Sequence, residues 1–243
     1  MTPSIPVAAA RRGTDAPPPR PLARADRRRL IVAFAPYAAL SLVHLVVLVV
    51  GGDGTAVTAT KLLLMPALVV AVVLARPRAS AAARLLVAAL VLSWAGDALL
   101  TGSGDGWFVA GLLSFLAAHV VYVVLFVRLS AGGRRLPWWT LAYAAWFAGF
   151  LALLAPGLDG MLVPVAVYGA VLGMMAALAG GLGGLVALGG ALFVVSDSVL
   201  ALGRFLPGYE FAAHDLVVMS TYLAAQGLIA LGVLTRRATR PAR

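Results

Sequence analysis

Read for apolar and polar positions, the chain falls into eight apolar stretches after residue 30. They lie at 30–50, 56–75, 82–101, 107–128, 137–155, 160–179, 184–204 and 213–234. Each is close to the ~20 residues that carry an α-helix across a hydrocarbon core. The breaks between them read as turns, among them GGDG at 51–54, TGSGDG at 101–106 and PGLDG at 156–160. The least marked break is AGGLGG at 179–184, where no charge signals the turn. The pattern predicts an all-α membrane protein, a bundle of eight transmembrane helices.

Composition agrees. The chain is 62% hydrophobic and 12% charged, and a soluble domain carries roughly twice that charge fraction. The net charge of +10 is a topology signal rather than a nucleic-acid footprint, because the arginines gather in the tails and in alternate loops. Residues 1–29, rich in Pro, Ala and Arg, read as a disordered basic tail. No clear cleavage site follows the first apolar run, so a signal peptide is the weaker reading. Loop 76–81 holds Arg76 and Arg78, loop 129–136 holds Arg134 and Arg135, and the tail 236–243 holds Arg236, Arg237, Arg240 and Arg243. Loops 51–55, 102–106 and 156–159 carry only Asp53, Asp105 and Asp159. Both termini are therefore expected on the cytoplasmic side of a multi-pass protein, in a bacterial cytoplasmic membrane. There is no cysteine to supply a disulfide, a thiolate ligand or a nucleophile. His44, His119 and His214 lie in separate segments, which argues against a metal cage, and no metal or cofactor is expected.

Against this background two charges stand out: Asp97 in ALVLSWAGDALL and Asp197 in ALFVVSDSVLAL. A carboxylate at the centre of a membrane helix costs about 2.5–3.5 kcal/mol on insertion scales, so it faces protein, a partner or a water-filled cavity. Counting at ~1.5 Å per residue puts both aspartates roughly 4–8 Å to the outer side of the midplane, with Lys61 at a similar level. His119, Tyr122 and Gln226 lie nearer the middle. Convergence at one depth suggests a single cavity. An internal similarity points the same way: SFLAAH at 114–119 matches TYLAAQ at 221–226, and the aspartates occupy the third and seventh segments. Two parallel four-helix repeats would place a site between them; an Ala/Leu-rich chain also yields such matches by chance, and both readings stand.

Each polar residue also has a plain packing role to set beside a functional one. Ser93 and Asp97 share a helix face at i, i+4, and Gly96 allows a neighbouring helix to approach. Ser196 and Ser198 flank Asp197, and Arg204 follows two turns later. A structural arrangement would pair Lys61 with one aspartate and Arg204 with the other. Lys61 suits a lipid phosphate, a carboxylate counter-ion or outward snorkelling. Phe115, His119 and Tyr122 form one stripe and Tyr222 with Gln226 another; both suit packing as well as catalysis. His44 reads as a lone hydrogen-bonding residue, Met174–Met175 as packing, and Trp138–Trp139 as an interfacial belt. AGGLGG lacks the Lys-Ser/Thr of a phosphate loop.

Six stretches in order carry a resemblance: TKLLLMPAL (60–68), LSWAGDALL (92–100), FVAGLLSFLAAHVVYVVLF (108–126), VPVAVYGAVLGMMAAL (163–178), GGALFVVSDSVLALGRF (189–205) and MSTYLAAQGLIALG (219–232). Together they resemble the YhhN family of membrane proteins, whose characterised members are lysoplasmalogenases. The resemblance implies an eight-helix enzyme that hydrolyses the vinyl ether of a lysoplasmalogen to a fatty aldehyde and glycerophosphoethanolamine or glycerophosphocholine. It carries the catalytic roles onto Asp97 and Asp197. Lys61, Ser93, His119, Tyr122, Tyr168, Ser196, Arg204, Tyr222 and Gln226 make the expected substrate-binding set, and the expected partners are a lysophospholipid and membrane lipids. The chemistry suits two carboxyls, one donating a proton to carbon and one ionised to stabilise the cation. Two rivals remain. An intramembrane aspartyl protease would show GxGD, but Trp94-Ala95-Gly96 and Val194-Val195-Ser196 precede the aspartates. A lipid or small-solute transporter would use them as a proton relay.

Overall fold

The computed structural model describes residues 24–75, 80–130 and 136–238. Most of the N-terminal tail, Arg76, Arg78, Arg134, Arg135 and the last five residues lie outside the described residues. The elements are α1 (Arg24–Val49), α2 (Gly54–Ala75), α3 (Ala81–Leu99), α4 (Asp105–Ser130), α5 (Ala142–Leu154), α6 (Leu162–Leu182), α7 (Gly184–Phe205) and α8 (His214–Ala238). Short 3-10 turns at Trp138–Leu141 and Ala155–Gly157 extend α5 at both ends, and another at Asp159–Met161 leads into α6. Eight helical spans are long and apolar enough to cross a membrane. Helix α1 begins at Arg24, inside the stretch read from sequence as tail.

Local chemistry accounts for the starts and stops. The Asp53 carboxylate accepts the Ala56 N–H at 2.7 Å and caps α2. The Ser80 hydroxyl accepts the Ala83 N–H at 3.2 Å and caps α3. Between α6 and α7 the chain turns through Gly183 and Gly184, at φ of 71° and 58°. Left-handed backbone at two successive residues is a glycine conformation, so this uncharged break is made by conformation alone.

Helix α8 is the centre of the bundle and α5 its rim. Half of the most apolar window of α8 is buried, against 11% for α5; α8 packs on α1, α2, α3 and α7. Burial of apolar side chains against lipid gives little driving force, so small residues and interhelical hydrogen bonds hold such a bundle. A Cβ on Gly189 of α7 would stand 2.7 Å from the Ile229 side chain and 2.9 Å from the Ala225 carbonyl of α8. On Gly96 of α3 it would meet the Phe115 ring of α4 at 2.6 Å. The Tyr37 hydroxyl donates to the Leu223 carbonyl at 2.7 Å, Trp94 Nε1 to Leu62 at 3.0 Å, and Ser114 to Leu92 at 2.8 Å.

The α7–α8 contact should therefore be intolerant of bulk. Gly189→Leu is expected to cost about 1–3 kcal/mol by overpacking and to lower the unfolding midpoint in detergent. Gly149→Leu, where a Cβ would meet nothing within 4 Å, should leave the midpoint unchanged; equal sensitivity would refute the packing assignment.

Candidate active site

Asp97, buried on α3, has two partners. The Tyr222 hydroxyl of α8 donates to its Oδ2 at 2.7 Å, and Lys61 Nζ of α2 lies 3.5 Å from its Oδ1. It is a carboxylate with an ammonium and a phenol on opposite oxygens.

Asp197 on α7 is held differently. The Tyr168 hydroxyl of α6 donates to Oδ2 at 2.5 Å, and His119 Nε2 of α4 stands 3.9 Å from the same oxygen. His119 Nδ1 is 2.8 Å from the Phe115 carbonyl. A carbonyl only accepts, so Nδ1 carries the hydrogen and a neutral His119 turns a bare nitrogen towards Asp197. That nitrogen is buried without a hydrogen-bond partner. Among the described residues, no lysine or arginine pairs with Asp197.

Behind the aspartates a polar trio ties three helices together. Tyr122 of α4 donates to Gln226 Oε1 of α8 at 2.5 Å, and Gln226 Nε2 donates to Ser93 Oγ of α3 at 3.0 Å. All three side chains are buried, and together they tie α3, α4 and α8. Phe193, one turn before Asp197 on α7, was not singled out from sequence. Its ring lies 4.7 Å from that of His119 and 5.6 Å from that of Tyr222, and it fills the space between the two aspartate environments. The i, i+4 spacing to Asp197 is the signal that could have found it. The ring of Phe193 thus touches a partner of each aspartate, His119 of Asp197 and Tyr222 of Asp97.

Asp197 opens onto a narrow cleft between α4, α5, α6 and α7. Its walls are apolar, with Phe115, Trp146, Phe150 and Leu172 among them, and Tyr168 and Ser198 flank the carboxyl. Trp146 Nε1 donates to Ser198 Oγ at 3.2 Å, and Ser198 donates to the Val194 carbonyl at 2.6 Å. Asp97 is not on this cleft; the Phe115 and Tyr222 rings, 6.0 Å apart, stand on that side.

Other candidate residues are engaged elsewhere. Ser196 donates to the Val218 carbonyl at 3.0 Å and joins α7 to α8. Arg204 pairs with Asp105 and lies 4.9 Å from the centre of the Phe108 ring. The structural pairing expected for the two cations is thus found for Lys61 but not for Arg204, whose position at the end of α7 puts it against the start of α4. Among the described residues no cluster of three or more His, Asp or Glu could hold a metal ion.

The YhhN family model matches residues 56–233, a stretch that contains both aspartates and all of their partners. The chain belongs to the YhhN family. It is 38% identical over 165 residues to the human lysoplasmalogenase TMEM86B, a match covering 62% of this chain and 64% of that protein. It is 37% identical over 160 residues to human lysoplasmalogenase TMEM86A, covering 61% and 64%. To the lysoplasmalogenase of Mycobacterium tuberculosis it is 36% identical over 158 residues, covering 61% and 60%. The match thus spans less than two thirds of each relative's length. No solved structure matches the chain.

The Lys61–Asp97 pair is measurable as a coupling. Lys61→Met should destabilise this YhhN protein by about 1–3 kcal/mol, because a buried acceptor loses its cation. Asp97→Asn in the same chain should recover part of that loss. Strict additivity of the two changes in a denaturation cycle would show that the residues do not interact.

Proposed function

We propose that this YhhN protein is a lysoplasmalogenase-like hydrolase that cleaves the vinyl ether of a lysoplasmalogen, releasing a fatty aldehyde and a glycerophospho-base. The observation that carries the reading is the inequality of two neighbouring carboxyls. Asp97 has an ammonium and a phenol and stays ionised. Asp197, without a cation, opens onto an apolar cleft suited to an alkenyl chain, and an unpaired charge buried there is unfavourable.

Asp197 is the acid. It protonates the β-carbon of the vinyl ether, the C=C π pair takes the proton, and the ether oxygen shares the positive charge of the resulting oxocarbenium ion. The fixed negative charge on Asp97 stabilises that ion from behind the Phe115–Tyr222 wall. Water adds to the oxocarbenium carbon and gives a proton back to the Asp197 carboxylate, regenerating the acid. The hemiacetal proton moves to the glycerol oxygen as the C–O bond breaks, leaving aldehyde and alcohol. His119, with Nδ1–H fixed on Phe115, turns an unprotonated Nε2 towards Asp197 and so brings no positive charge that would favour the ionised carboxyl. Tyr168 keeps the carboxyl oriented towards the cleft.

The two aspartate environments also support a parallel repeat. Each carboxyl takes one partner from the second helix of its own half and one from the fourth helix of the other: Lys61 and Tyr222 for Asp97, Tyr168 and His119 for Asp197. Exchange of the halves exchanges the partners. Charge distribution supports cytoplasmic termini, because Arg24, Arg27, Arg28, Arg29, Arg84 and Arg128 lie at the end of the bundle that holds the start of α1 and the finish of α8. The opposite end carries Asp53, Asp105, Asp159 and Asp215.

Purified protein supplied with a lysoplasmenylethanolamine should release aldehyde, read through a coupled aldehyde dehydrogenase. Asp197→Asn and Asp97→Asn should each slow release by about 100-fold or more, the range of lost acid–base and electrostatic catalysis, with the detergent unfolding midpoint retained. Near wild-type release from either variant would sink the paired-carboxyl mechanism. Proton-coupled flux in proteoliposomes without turnover would point to a transporter instead.

A further inference from the structure

Two walls of the cleft, Phe108 and Phe205, also line a second cavity at the end of the bundle away from both termini. This cavity differs in chemistry from the first. Arg204, Asp105 and Asp159 all reach it. Arg204 is oriented by two contacts, the ion pair with Asp105 and the face of Phe108, which leave its remaining N–H donors for a further acceptor. Asp159 stands on the turn between α5 and α6 with φ of 41°, in the left-handed region that aspartate and asparagine tolerate. That turn is seated against the end of α7: a Cβ on Gly157 would fall 2.0 Å from the Phe205 carbonyl, so only glycine lets the two segments lie this close. One cation and one separate carboxylate are therefore presented across a cavity that shares Phe108 and Phe205 with the chain-binding cleft.

Resting on the lysolipid reading above, we infer that this second cavity is a headgroup site for a zwitterion, with Arg204 binding the phosphate and Asp159 the terminal ammonium. Spacing supports it. Arg204 lies two turns beyond Asp197, roughly 10 Å along α7. In a lysoplasmalogen seven bonds separate the phosphorus from the vinyl β-carbon, about 8–9 Å when extended. A lipid anchored by its phosphate at Arg204 thus places the carbon to be protonated at the level of Asp197. The ammonium lies beyond the phosphate, on the side of the turn that carries Asp159. Asp105 acts on Arg204, as a positioning residue. A carboxylate in the same cavity disfavours a bare phosphomonoester, which brings extra negative charge and no ammonium.

The test separates binding from turnover. Saturated 1-O-alkyl lysolipids lack the vinyl ether, so their equilibrium binding to full-length protein in detergent reports the headgroup site alone. The 1-O-hexadecyl glycerophosphoethanolamine should bind at least tenfold more tightly than 1-O-hexadecyl glycerol 3-phosphate. Asp159→Asn, which keeps the left-handed turn, should weaken the ethanolamine lipid about tenfold, the worth of one charge-assisted hydrogen bond, and abolish the preference. Arg204→Gln should weaken both lipids. Equal affinity of the unaltered protein for the two lipids, or a preference that survives Asp159→Asn, would overturn the headgroup assignment. Aldehyde release from the matching vinyl ether lipids, measured on the same preparations, judges the hydrolase reading separately. A preference in binding without release would leave the headgroup site standing and remove the reaction.

Discussion

A carboxylate inside a bilayer has no bulk water to solvate it, and the centre of this bundle is arranged around that constraint. Asp97 is met by Lys61 and Tyr222, Asp197 by Tyr168 and His119. These partners come from α2, α8, α6 and α4, so satisfying two side chains commits six of the eight helices to one another. The close α7–α8 and α3–α4 contacts follow from the same need: Tyr222 reaches Asp97 only if α8 is drawn into the middle, and glycine at 96 and 189 removes the side chains that would hold neighbouring helices apart. The buried Tyr122–Gln226–Ser93 trio then fixes α4, α8 and α3 in register.

What could be read from sequence follows from how information is stored in a membrane chain. Span number and approximate limits are carried by runs of apolar residues, because crossing a hydrocarbon layer needs length and little else. The intramembrane aspartates were legible for the complementary reason, as the positions where that rule is broken. The AGGLGG break was visible in composition, yet its location at Gly183–Gly184 depends on backbone angles. Partners were less legible. Spacing along one helix orders faces but does not say which helix lies opposite. Lys61 was placed at the right depth for Asp97, whereas Arg204, on the same helix as Asp197, turned towards Asp105 across the loop end. Ser196 is adjacent to the candidate acid in sequence and faces Val218 in space. Phe193 carried no polar signal at all, although it is the residue packed between the two aspartate environments.

The inequality of the two aspartates has a consequence for the proposed chemistry. Protonating carbon is difficult for a weak acid in water, where its conjugate base is well solvated and the cation formed is captured at once. At the edge of an apolar cleft the acid gains, because the ion pair created by proton transfer is oxocarbenium and carboxylate in a weakly screening medium. A second fixed negative charge close by strengthens that gain, provided it does not take a proton itself. In the proposed mechanism Lys61 and Tyr222 would hold Asp97 in that state, and the charge would act without occupying the cleft. Exchange of Lys61 for a neutral residue would therefore alter the chemistry without touching the substrate.

Water is the remaining reactant, and the apolar walls around Asp197 do not supply it. The polar cavity at the loop end shares Phe108 and Phe205 with the cleft, and in the proposed reaction it is the side from which water would come. A lipid seated with its headgroup there would close this entrance with its own polar groups, whose hydration shell is the nearest store of water to the oxocarbenium carbon. Headgroup binding and water delivery then become one event. In such a site the water nearest the oxocarbenium carbon would be that held by the bound headgroup, while the alkenyl chain excludes water from the rest of the cleft.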